Sequence, residues 1–106
     1  MLPQKQPAKK ILGVGDILVA DGDYDKTNLD FYEITEIKSS EMVVIRKISS
    51  KTRVQGLNHG FSIPIKGCYI SEPLIKQVSL SGTVPINTFK VALLWDGKEK
   101  LNYWYS

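Results

Sequence analysis

The 106-residue chain contains one cysteine, Cys68, and one histidine, His59. A lone cysteine rules out an internal disulfide framework and suits a reducing compartment, so a cytoplasmic location is expected. One Cys and one His fall short of the three or four ligands that zinc requires. No nucleophile motif surrounds Cys68, which is expected to be a small buried apolar residue. His59 stands beside Gly60 in a polar stretch and is expected to be solvated. No apolar run approaches the roughly 20 residues of a membrane helix, and no segment keeps helical periodicity over about 11 residues. Lys9 and Lys10 before Ile11-Leu12 have a faint signal-peptide character, but Asp16 interrupts the apolar run and no small-residue cleavage site follows. Gly13-Val14-Gly15 leads into a β-type run rather than a helix, so it is no phosphate cradle. No acid/base pair is forced together by spacing. These absences point away from an enzyme, a metal, a cofactor and a membrane.

What is present is ordinary in amount and uneven in placement. With 42% apolar and 24% charged residues, the chain reads as one globular domain. Such a chain can bury roughly 65% of its unfolded surface, enough for one core. The net charge of +3 conceals a partition. Residues 1–10 carry Lys5, Lys9 and Lys10 beside Pro3 and Pro7, and read as a disordered basic tail. Residues 16–36 sum to −6, and residues 38–53 sum to +4. A surface of two signs suits docking on a partner of complementary charge.

Residues 11–106 are expected to form a single β-barrel domain. Ile17-Leu18-Val19 predicts a strand over about 16–20. A second strand is expected over 31–38, with a bulge between Ile34 and Ile37 because Tyr32 and Ile34 fall on one parity and Ile37 on the other. The β-branched run Met42–Ile48 predicts a third strand. Residues 49–60 are polar and predict a long hairpin loop. Phe61–Ile65 and Cys68–Ile70 flank Gly67, and Leu74–Ser81 reads as a short strand or one helical turn. Phe89, Val91, Leu93 and Trp95 alternate with Lys90, Ala92, Leu94 and Asp96, and Leu101, Tyr103 and Tyr105 alternate again. Asp96-Gly97 between them predicts a two-residue hairpin that sets Phe89 opposite Trp104. The expected class is all-β: a small SH3-like barrel, alternatively OB-like, of about five or six antiparallel strands.

The densest chemistry lies in Asp21-Gly22-Asp23-Tyr24-Asp25-Lys26-Thr27-Asn28-Leu29-Asp30-Phe31-Tyr32. Asp21, Asp23 and Asp25 have the spacing that opens an EF-hand loop. Its sixth and twelfth positions, normally Gly and Glu, are Lys26 and Tyr32 here, which argues against calcium. Asp23, Tyr24, Asp25, Thr27, Asn28, Asp30 and Tyr32 form the expected partner-binding set. Arg46, Lys47, Lys51 and Arg53, with Trp104 as a stacking aromatic, form an alternative set for nucleic acid.

The block Tyr24-Asp25, Thr27-Asn28, Asp30-Phe31-Tyr32, with the late Trp95-Asp96-Gly97 and terminal Trp104-Tyr105, resembles a family of small uncharacterised phage- and plasmid-borne proteins. The resemblance runs from about Gly15 to the C-terminus, with Gly22-Asp23 where many members carry an aromatic-glycine pair. It brings no activity with it; it implies a mobile-element setting. The expected function is therefore a non-catalytic binding protein docking on a host protein or nucleoprotein complex that processes nucleic acid or serves defence, in the manner of an anti-CRISPR inhibitor. The alternative is a β-barrel module that binds DNA or RNA directly through residues 38–53.

Overall fold

A computed structural model describes residues 12–20, 29–87 and 90–103. The expected tail 1–10 lies outside them. Every regular element among the described residues is a strand: β1 (Ile17–Ala20), β2 (Asp30–Ser39), β3 (Met42–Val54), β4 (His59–Tyr69), β5 (Leu74–Gln77), β6 (Val84–Asn87), β7 (Lys90–Leu94) and β8 (Lys100–Tyr103). They form one antiparallel sheet in the order β6-β7-β1-β2-β3-β4-β8, with β5 also on β3. The all-β expectation holds. Among the described residues the strands number eight rather than five or six, and the sheet is not closed.

The core collects the inward parity of the central strands. Leu18 and Ala20 of β1, Tyr32 and Ile34 of β2, Val43 and Ile45 of β3, and Ala92 of β7 pack with Val78 and Val84. Full burial of each large aliphatic side chain there contributes about 1.5–3 kcal/mol. β2 also buries its opposite parity. Phe31 meets Trp95 edge to face at 6.2 Å between ring centroids, and Glu33, on the same parity of the strand, is buried as well. Pairing of β2 with β3 is irregular between Ile34 and Glu36 and again between Ile37 and Ser39. The parity conflict at Ile34 and Ile37 is thus resolved by local irregularity, as expected.

β3 organises everything else. Its 13 residues extend over about 43 Å. The first half lies between β2 and β5; the second half pairs with β4, which pairs with β8. This second half, β4 and β8 make a three-stranded arm. β4 and β5 follow one another along the same edge of β3. Between Pro64, opposite Ser50, and Tyr69, opposite Ile48, residues 65–68 loop out as a flap, where Gly67 takes φ 82°.

Three expectations are corrected. The long loop over 49–60 is strand as far as Val54, so the turn is only 55–58. Those residues are polar because the arm is solvated, and β pairing does not require an apolar face. Asp96-Gly97 does form a tight turn: Gly97 has φ 85°, and the Asp96 carboxylate accepts the Lys98 N–H at 3.0 Å. The flanking strands nevertheless do not pair with each other. β7 pairs with β1 and β6, while β8 pairs with β4. Burial decides this: Ala92 and Leu94 are needed beside Ala20 and Leu18, and Trp95 N–H closes on Ile17 O at 2.8 Å. Phe89 and Trp104 lie outside the described residues. Lastly, Cys68 is exposed in the flap rather than buried, since residues 65–68 leave the sheet.

Candidate binding surface

Of the acidic-aromatic set, Asp23, Tyr24, Asp25, Thr27 and Asn28 lie outside the described residues. Asp30 and Tyr32 are described, and both serve the fold. The Asp30 carboxylate bridges two lysines, with Lys90 Nζ at 2.6 Å and Lys47 Nζ at 3.1 Å. It is half-buried where β2, β3 and β7 come together, so strand pairing supplies both counter-charges. Tyr32 is 5% exposed and belongs to the core. Its burial, and secondly the nearby Asp30 charge, push the phenol up to about 12. Neither side chain is free to act as a surface contact.

The basic set is divided between environments. Arg46 stacks over the Tyr69 ring at 4.4 Å and donates its Nε–H to Ser71 O at 3.0 Å. Lys47 is held by Asp30, so one member of each rival set neutralises the other. Lys51 and Arg53 share a face of the arm. In the register Lys51 stands opposite Ile63, Arg53 opposite Phe61, and Phe61 opposite Leu101. Opposed residues in an antiparallel pair share a face, so this face shows two cations interleaved with Phe61, Ile63 and Leu101. Arg53 lies over the Phe61 ring at 5.2 Å, and its Nη2 reaches Glu99 Oε1 at 2.7 Å. Ile63, Leu101, Lys51 and Arg53 are exposed. Trp104, the expected stacking residue, lies outside the described residues.

Sequence reasoning missed Phe61, Ile63 and Leu101 as companions of the basic residues. Only the strand register brings them together, and placing 49–60 in a loop removed that register. It also missed Glu33. This buried carboxylate accepts the Gly67 N–H at 2.9 Å and the Tyr69 hydroxyl at 3.4 Å, while Lys66 Nζ donates to Gly15 O. Together these contacts pin the flap across the outer side of β2. His59 was expected in solvent. It is half-buried instead, its ring lying against Gly56: a Cβ on that glycine would fall 2.5 Å from the imidazole. Among the described residues no group of three or more His, Cys, Asp or Glu side chains is placed to hold a metal ion. No helix of the described residues is long and apolar enough to cross a membrane.

Comparison with family models, with curated proteins and with solved structures finds no match.

Proposed function

We propose that this protein is a non-catalytic binding module that acts on a nucleoprotein complex and touches its nucleic acid with the outer face of the arm. The observation that carries this reading is the row Lys51–Ile63 beside the row Arg53–Phe61–Leu101. Cations supply attraction to phosphate, and exposed apolar and aromatic side chains supply contact with bases and sugars. The whole stretch 42–71 contains no Asp or Glu and carries Arg46, Lys47, Lys51, Arg53 and Lys66. The resemblance to phage- and plasmid-borne proteins makes a host defence or nucleic-acid-processing assembly the natural setting, with anti-CRISPR-like inhibition as one form of it. A cytoplasmic location and an SH3-like or OB-like ancestry of the sheet belong to the same proposal. Support for the ancestry is the way β5 and β6 approach, with Lys76 Nζ donating to Ile86 O at 2.9 Å across the gap.

The test is a gel-shift series with a generic oligonucleotide as salt is raised. Two phosphate contacts give a slope of log affinity against log salt near −1.8, because each releases about 0.9 counterion. Lys51→Ala with Arg53→Ala removes that slope. The fold survives, since the exposed Arg53–Glu99 pair is worth about 0–1 kcal/mol. A salt slope unchanged in this variant overturns the reading. No binding to nucleic acid, with a host complex captured in a pull-down and lost on reversing Asp23 and Asp25, assigns docking to the acidic loop instead.

A further inference from the structure

The tip of the arm carries a feature that the outer face does not explain. Leu57 is 97% exposed and Val54 is 65% exposed, at the end of a solvated hairpin. The turn holding Leu57 is closed by backbone hydrogen bonds. The N–H groups of Gln55 and Gly56 both donate to His59 O, at 3.1 and 3.2 Å. Gly56 sits under the His59 ring. Gly60 approaches β3 so closely that a Cβ would lie 2.5 Å from Arg53 O. The turn is thus closed tightly at both glycines, and it presents Leu57 to solvent.

We infer that Leu57 is an apolar wedge that the arm presses into a base step of duplex DNA. The inference rests on the proposed contact of the arm with nucleic acid and names the form of that contact. A protruding aliphatic side chain beside cations is the arrangement by which minor-groove proteins separate stacked base pairs and kink the helix. The cations are in place. Arg53 and Lys51 precede Leu57 by four and six residues on the strand leading to the tip. Fully extended, that length of chain would span about 13–20 Å; with residues 55–58 in the turn both cations lie nearer than that, within reach of phosphates flanking the opened step. Charge selects the occupant: the hairpin from Ser49 to Ile63 contains Lys51 and Arg53 and no acid, and a phosphate would compete for Arg53 with its exposed partner Glu99, which lies just before β8. An apolar pocket on a neutral protein would offer these cations no complementary charge.

The experiment uses the full chain and a DNA duplex with a donor and acceptor dye at its ends and 2-aminopurine beside a central TA step. Wild type raises 2-aminopurine fluorescence and shortens the end-to-end distance. Leu57→Ala binds with the same salt slope and loses both signals; Leu57→Phe restores them. An alanine variant that unstacks and bends the duplex like wild type overturns the wedge and leaves the arm's contact with nucleic acid standing. A wild type that fails to bind the duplex even at low salt overturns both. Leu57-dependent binding to anionic phosphatidylserine vesicles without duplex deformation overturns the wedge in favour of a lipid surface. Because Leu57 is almost wholly exposed, the substitutions leave the melting temperature in place, so a lost signal is not a lost fold.

Discussion

Asp30 gives the sharpest structural prediction. Read as a member of an acidic docking loop, it would tolerate reversal to lysine. In the fold its carboxylate lies between Lys90 and Lys47, and the Asp30 and Lys90 side chains are only 17% and 14% exposed. Removing it takes a carboxylate counter-charge away from a mostly buried ammonium and from the more open Lys47. Breaking a fully buried pair costs about 3–5 kcal/mol, and a charge-assisted hydrogen bond is worth about 1.5–3 kcal/mol. Residual exposure and the more open Lys47 place Asp30→Asn near 2 kcal/mol and Asp30→Lys somewhat above it, at roughly the lower end of those ranges. For a domain of this size each kcal/mol moves the midpoint by about 4–5 °C, so a drop of about 10 °C is expected in a calorimetric melt. Asp30→Asn also removes one of the two causes of the raised Tyr32 pKa, so the phenol should titrate at lower pH by ultraviolet absorbance. If Asp30→Lys melts within about 2 °C of wild type, the bridge is not formed in solution, and the reasoning fails.

The same contacts set four further outcomes. The neutral Tyr32 phenol is favoured by the fold, with a pKa near 12 against 10 when unfolded. The unfolded chain alone sheds that proton between about pH 10 and 12, so stability is intact below about pH 10 and declines through that window by on the order of 2 kcal/mol. Urea titrations across alkaline pH measure it, and a flat midpoint contradicts it. Glu33→Ala should cost about 1–3 kcal/mol and speed hydrogen exchange at the Gly67 amide, because the flap loses the charged acceptor that holds that N–H. Gly97→Ala should cost about 1 kcal/mol through its positive φ alone, as nothing lies within 4 Å of the new Cβ. Gly60→Ala should cost more, about 2 kcal/mol, because its Cβ meets the Arg53 carbonyl and the arm must shift.

Much of the central sheet was legible because parity and burial coincide there. Leu18, Tyr32, Ile34, Val43 and Ile45 reach the core from strands whose sequence is apolar and β-branched. Even the irregularity after Ile34 could be read, since two apolar parities in one strand require it. The arm was not legible. Residues 49–53 are polar, and they are strand only because β4 returns beside them. The Asp96-Gly97 signal was correct for the turn and wrong for the partners. Turn chemistry fixes local φ, whereas pairing is set by where Ala92 and Leu94 find a core. At the candidate surface, Lys51 and Arg53 could be chosen from charge. Their apolar companions needed the register, and the two-lysine bridge at Asp30 needed β7, whose Lys90 is 60 residues further along the chain, brought beside β2 and β3.

Contact between the arm's outer face and nucleic acid can be watched residue by residue, through amide chemical shifts of the labelled protein as a short DNA oligonucleotide is added. Lys51, Arg53, Phe61, Ile63 and Leu101 should move, saturate together and return toward their free positions as salt is raised. Movements confined to residues 21–28, or none anywhere at low salt, contradict that contact.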